Sequence, residues 1–480
     1  MLSSQIRIAV GTLLSVIALE RATPAQDTAK VQGPKGNQAK EITLSVTRKN
    51  VPTPIFRYRF LPTTPELNPG DAAPIYLRLG YELPEGDLKE THSTVMRWLD
   101  QPIDAFPTSE AKAVVDRYSL QLQQIEFGTR RRSCDWNYTG FEERDNPFAI
   151  RMTELQSMRV WGHLLALKAT VEVASGRSED AIKTLATGIV FGRQVAEGPY
   201  YINMLVGVQI LFQMLDRVDE LIGQPDAPNL YWALTALPRP LISMREATEN
   251  EYASVGRALT GRMLDDPELN QPRSESEWSA TLARFYDRIV RLEQIYKFDY
   301  VSPHRALENL ETFKANLLPQ AQDYLKSRGI AATSNDQTLV LAINGFYREL
   351  ADEFFKISYI PYPDAKAREA EVAKRVEAAK FGPASLLARF FPAVQATHSS
   401  EARLERKIAA IRIVEALRLY AADNEGKLPE SLDQIKAVPI PDDPFAGKPF
   451  EYRREGESAI LTGQSSSPAF RLIYRLTVRK

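Results

Sequence analysis

The most regular alternation of apolar and polar positions in this chain lies between Glu154 and Leu264. Leu155, Met158, Trp161, Leu164, Leu165, Ala169 and Val173 recur at intervals of three and four. That spacing predicts an amphipathic helix from Glu154 to Ala174. Gly176 follows where a left-handed residue would close the helix. Ser178 then offers a capping hydroxyl, and Glu179 and Asp180 place negative charge on the first turn of a second helix. The second stripe (Ala181, Ile182, Leu185, Ile189, Phe191, Val195) stops at Gly198-Pro199. A third helix, Tyr201 to Ile222, is apolar over most of its circumference, as expected of a helix packed on two sides. Asn203, Gln209, Gln213 and Asp216 interrupt it too often for a membrane span.

Weaker patterns flank this core. Alternation at Ile42–Val46 predicts a short strand, and Ile55–Leu61 reads as a second extended piece among prolines. Helices are predicted over Ala72–Tyr81, 108–126, 241–264, in several pieces between Pro272 and Arg328, and over Thr338–Phe355. Near the C-terminus, Leu404, Ile408, Ile411, Val414, Leu417 and Tyr420 share one face of a helix over 401–422, with Ser400 as its cap. Two strands, Ser458–Leu461 and Arg471–Val478, follow. The expected class is mainly α: an irregular helical-hairpin bundle with short N-terminal extended segments and a small α+β C-terminal module. The segments are a signal peptide (1–25), a flexible linker (26–50), an N-terminal mixed region (51–150), the helical-hairpin core (151–265), a further helical region (266–395) and the α+β module (396–480).

Composition narrows the functions. Sixty basic against 61 acidic residues in 480 give no global field for nucleic acid or an anionic membrane. The lone Cys134 excludes an intramolecular disulfide, and His92, His163, His304 and His398 form no metal-binding spacing, so no cofactor is expected. Arg7, the apolar run Ile8–Leu19 and the small-residue exit Thr23-Pro24-Ala25 read as a secretory signal. The chain is therefore expected to be exported, periplasmic or extracellular, with no integral span in its mature part. An uncleaved N-terminal anchor is the other reading of that segment.

The most chemically loaded stretch is Arg130-Arg131-Arg132-Ser133-Cys134-Asp135-Trp136-Asn137-Tyr138. Its arginines, with Asp135 and the indole of Trp136, could bind an anion, or a sugar through stacking. In the plainer reading Trp136 plugs the edge of the helical core and the arginines pair with Glu142, Glu143 and Asp145. Cys134 reads as a small filler, because no nearby histidine would activate it. Asn137-Tyr138-Thr139 is a glycosylation sequon. Asp265/Asp266 and Asp442/Asp443 are adjacent in sequence, which makes neither pair an acid–base dyad.

Three resemblances add expectations. The turn from Ser175 to Ile182 resembles the helix–turn–helix of tetratricopeptide repeats, with Ala181 as the small residue of close approach; no second copy recurs at a fixed period. The order of the 401–422 helix, Leu428-Pro429-Glu430-Ser431-Leu432, Asp443-Pro444-Phe445-Ala446-Gly447-Lys448-Pro449-Phe450-Glu451-Tyr452 and two strands resembles the globular half of type II secretion pseudopilins. No prepilin-like apolar helix precedes Ser400, so this implies a similar small fold rather than a pilus subunit. Members of that family can bind calcium here, which would draw on Asp442, Asp443 and Glu451. Arg57–Pro62, Cys134-Asp135-Trp136, Pro228–Leu234 and the Gly447–Arg453 loop also resemble a group of uncharacterised exported bacterial proteins. The leading expectation is a non-catalytic scaffold that binds another exported or envelope protein through its helical surface. The alternative is an envelope hydrolase or glycan-binding protein using the Arg130–Tyr138 loop.

Overall fold

The computed structural model describes residues 39–82, 85–136, 153–260, 271–296, 309–378 and 391–479. The expected signal segment, the Asn137 sequon, Glu142, Glu143, Asp145 and Asp265/Asp266 lie outside these residues. The described chain is mainly helical and divides into two compact units: 39–136 with 153–244 and 399–479, and 245–378 with 391–398. The C-terminal α+β segment thus shares a unit with the helical hairpins. None of the described helices is long and apolar enough to cross a membrane.

The first unit is built on three long helices, α5 (Thr153–Ala174), α6 (Ser178–Ala196) and α7 (Tyr201–Ile222). Gly176 sits at φ 72°, and the amides of Gly176 and Arg177 close back on Val173 O and Glu172 O, at 3.0 and 2.8 Å. This double closure is the Schellman arrangement that a glycine at this position permits. Ser178 begins α6 without capping it. α6 and α7 cross at glycines: a β-carbon built on Gly207 would lie 2.4 Å from Gly192 O and 2.5 Å from the Ala196 β-carbon. Gly188 meets the Met214 thioether in the same way. The close approach rests on these glycines, which the hydrophobic stripe does not show.

Shorter helices surround them: α1 (Ala73–Tyr81), α2 (Glu85–Leu99), α3 (Thr108–Arg117), α4 (Ser119–Thr129) and α8 (Tyr231–Thr235). The single helix expected over 108–126 is broken at Tyr118, where the backbone leaves helical geometry. Ile55–Leu61 is a series of turns and bends rather than a strand. The strands β2 (Asn68–Asp71) and β3 (Arg131–Ser133), absent from the sequence reading, pair in parallel.

A four-stranded sheet closes this unit in the order β1 (Lys40–Thr47), β6 (Leu472–Arg479), β5 (Ser458–Gly463), β4 (Glu451–Glu455). β1 runs parallel to β6, from Lys40 opposite Leu472 to Thr47 opposite Arg479, so a strand occupies the second half of the expected 26–50 linker. β4 lies where a loop was expected and forms an edge with Glu451, Arg453 and Glu455 exposed, charges that discourage edge-to-edge pairing. The inner face carries Leu44, Val46, Ala459, Leu461, Leu472, Tyr474, Leu476 and Val478.

The last helix, α14, runs from Phe391 to Asp423, so Ser400 is a buried mid-helix residue and not a cap. In the second unit lie α9 (Arg245–Thr260), α10 (Glu275–Tyr296), α11 (Leu310–Arg328), α12 (Asn335–Tyr359) and α13 (Tyr362–Ala378). Helix α12 packs against the other four. Asn309 and Ser334 cap α11 and α12 through their side chains. Tyr252 and Tyr347 exchange hydroxyl-to-carbonyl hydrogen bonds of 3.1 and 2.8 Å, and the buried His398 and Glu369 side chains meet at 3.1 Å.

Candidate interaction surface

Most groups with latent chemistry in the first unit are consumed inside it. From Ser399 onward α14 carries Arg406, Lys407, Arg412, Glu415 and Arg418, all buried, although its apolar stripe predicts a solvated polar face. Arg418 and Glu415 pair with each other on the helix, and every one of these side chains also finds a partner far along the chain. Lys407 Nζ donates to Asp219 and, at 3.1 Å, lies against Asp216, both on α7. Lys40 of β1 reaches Asp216 at 2.9 Å, and the Tyr474 hydroxyl donates to Asp219 at 3.1 Å. Burial works against the charge on Lys407, but Asp219, Tyr474 and Asp216 outweigh it and hold the ammonium well above its ordinary value. Burial likewise opposes ionisation of Asp216, yet Lys407 and Lys40 bring its carboxyl down to about 2.

The other buried charges act as staples. Arg406 grips Asp443 through two nitrogens, each at 2.8 Å, and donates to the carbonyls of Phe470 and Gln464. Asp443 also accepts the Phe445 amide at 2.9 Å, which closes the Asp-Pro-Phe turn. The carboxylate is therefore committed to a guanidinium, which takes Asp443 out of the oxygen set that the pseudopilin resemblance implies for calcium. Arg418 pairs with Glu415 at 2.9 Å and donates to Ala227 O and Thr47 O, tying α14 to the 225–230 loop and to β1. Glu415 in turn accepts the Leu230 amide at 3.0 Å.

A second polar chain runs between α2, α5 and α7. His163 is 2 % exposed; its Nδ1 is 3.0 Å from His92 Nε2, and its Nε2 meets the Gln213 amide. In the neutral tautomer satisfying both contacts, Gln213 donates to Nε2 and His163 donates through Nδ1. Burial, with His92 and Arg159 adding repulsion, pushes His163 down to about 3. A histidine lowered in the fold stabilises it above its ordinary value, and that contribution fades as pH falls from about 6.5 toward the folded value. Near pH 5 the loss amounts to roughly 2 kcal/mol. Thermal melts of the protein and its His163→Gln variant at pH 7 and 5 should therefore show a smaller acid-induced drop in the variant. Equal drops would mean that His163 does not carry the effect.

The loop singled out by sequence is split between core and surface. Trp136 is 3 % exposed and donates its indole N–H to Gln194 O at 2.7 Å, beside Tyr76. It plugs the core edge and offers no face for stacking. Arg130 pairs with Glu126 of its own helix at 2.9 Å. Arg131 donates to Pro69 O and lies 4.1 Å over the exposed Phe127 ring. Arg132 and Asp135 are exposed, and the Asp135 amide donates to Asp71 at 2.9 Å. Cys134 is half-buried, and burial, with Glu197, Asp71 and Asp135 adding repulsion, raises its thiol, the reverse of an activated nucleophile.

What sequence reading missed is the neighbouring 55–59 turn. Ile55 and Phe56 are 46 % and 43 % exposed, with the Phe56 ring edge-on to the half-buried Trp232. Arg59 lies 4.7 Å over Phe56 and has no ion-pair partner among the described residues. Arg57 pairs with Glu179, on the first turn of α6, at 2.7 Å, and Tyr58 adds its hydroxyl. The turn is thus pinned at Arg57 and underneath at the buried Phe60, while its apolar tip faces solvent. Comparison of the chain with family models, with curated proteins and with solved structures finds no match.

Proposed function

We propose that this is an exported, non-catalytic interaction scaffold that binds another exported or envelope protein. The observation that carries the reading is the turn at Ile55 and Phe56, two large apolar side chains exposed to solvent beside Arg57 and Arg59. Exposed aromatic anchors beside arginine are the residue types that dominate protein–protein contacts. Export rests on the signal-like pattern of Arg7 through Ala25.

A photo-reactive residue placed at Ile55 of the mature protein should capture a discrete, saturable partner in the intact envelope. The same residue at Lys427, an exposed position far along the chain, should not. Adding Phe56→Asp should abolish capture, at the cost of a small fall in melting temperature from the lost Trp232 and Arg59 contacts. Capture equal from both positions, or unaffected by Phe56→Asp, would remove the support for this surface. Retention of the full-length chain in the cytoplasm would end the export reading.

A further inference from the structure

Arg159 is a cation set into the helical core without a counter-charge. Its Nε is buried with no acceptor, and no group among the described residues pairs with its guanidinium. Burial alone opposes its charge. A guanidinium taken out of water ordinarily has a partner, because its desolvation is otherwise unrepaid. On α5 it stands one helical turn before His163, so the two side chains share a face. Against them, on α2, His92 sets its ring edge-on to His163, with centroids 4.7 Å apart and Nε2 3.0 Å from Nδ1. Burial, and after it Arg159, lowers His92, and no carboxylate bears on either imidazole. α7 brings Arg217 to the last turn of α2, two turns from His92. There it donates to Leu99 O at 3.1 Å and is already paired with Glu220 at 2.9 Å. One permanent cation and two titratable rings thus meet with no acid at contact among the described residues.

We infer that Arg159 and His92 form a binding site for a small oxyanion, the carboxylate, phosphate or sulfate group of a ligand, with His163 and Gln213 as its support. Both residues are half-buried, so solvent reaches the cluster while the core stays closed. The guanidinium offers a planar fork of N–H donors that matches such oxygens. The imidazole adds a further donor, and a positive charge once it takes a proton, which a bound anion favours. His163 and Gln213 can accommodate that proton. In the neutral arrangement His163 donates through Nδ1, so a protonated His92, donating from Nε2, requires His163 in its other tautomer. The His163 proton then lies on Nε2, facing Gln213. Gln213 Oε1, buried without a donor, accepts it once the amide turns over. Anion and proton therefore support each other. The anion raises a His92 that the ligand-free fold lowers, so affinity increases as pH falls. The site uses none of the residues of the Phe56 turn and does not depend on the interaction-scaffold reading.

The chain has four histidines, so the ring C–H signals of histidine-labelled protein report on His92 directly. Sodium sulfate and sodium acetate are titrated separately, each against chloride at matched ionic strength. At least one of them should shift the His92 signals saturably, and should bind about threefold or more tightly at about pH 6 than at about pH 8. A response to sulfate alone assigns a phosphate- or sulfate-type group; a response to acetate alone assigns a carboxylate. Arg159→Lys keeps the charge but loses the fork, and should weaken binding about tenfold. Arg159→Met should abolish it. Methionine keeps the apolar stem and removes an unpaired charge, so in chloride that variant should melt at or above the parent, which an arginine with a structural role would not allow. His92→Gln, read at the His163 signals, should bind more weakly and without pH dependence. No saturable shift, a shift that chloride reproduces, or one that survives Arg159→Met overturns the inference. An Arg159→Met protein that melts well below the parent overturns it as well.

Discussion

Replacing Lys407 by methionine should destabilise the first unit by roughly 3–5 kcal/mol, the range for removing one partner of a buried ion pair. The side chain is 2 % exposed and neutralises Asp219, itself buried, while Asp216 stands beside them. Methionine keeps the apolar stem, so packing changes little; the cost comes from Asp219 left without its cation, while Asp216 keeps Lys40. Asp219 would then accept a proton or draw in water, at the expense of the Tyr474 hydrogen bond. Chemical denaturation of the variant should show a lower midpoint, and the deficit should shrink at acid pH as the orphaned Asp219 carboxylate protonates. Pairing Lys407→Met with Asp219→Asn should restore more than half of the loss. A single variant as stable as the parent, or a double variant no better than the single, would show that the pair contributes little.

Gly207→Val is the second large effect. The added β-carbon would point into Gly192 O and the Ala196 backbone, atoms that cannot swing aside as a flexible side chain would. α6 and α7 must separate, and every contact along their crossing loosens with them. Overpacking of this kind costs about 1–3 kcal/mol, and clashes against backbone fall at the upper end. Gly223→Ala serves as the control: its β-carbon would meet nothing closer than 3.4 Å, and it should stay within about 0.5 kcal/mol of the parent. Urea melts of the two variants decide the point. Similar small losses in both would mean that the α6–α7 crossing tolerates separation.

The three central helices were legible because their apolar residues repeat at the helical period over some twenty residues each, and α7 matches the expected Tyr201–Ile222. Ile42–Val46 and the two C-terminal strands were legible from alternation, but β4 was not. Its Glu-Tyr-Arg-Arg-Glu sequence lacks an apolar face, since it is an exposed edge. The break at Tyr118 carries no proline or glycine and so left no mark. Trp136 was legible as a core plug, while the Phe56 turn was hidden among prolines that read as an extended segment.

Local pattern therefore determined the helical class, the hairpin order and the small strand-bearing C-terminal part, because periodicity records which side of each element avoids water. Tertiary structure alone decided what α14 is. Its charged residues between Arg406 and Arg418 look like a solvated face, yet each is buried against a partner such as Asp219, Asp443 or Thr47 O. A charge and its counter-charge can be separated by 188 residues, as Lys407 and Asp219 are, and still lie in contact. No window of sequence contains both, and the energy of burying either depends on having the other.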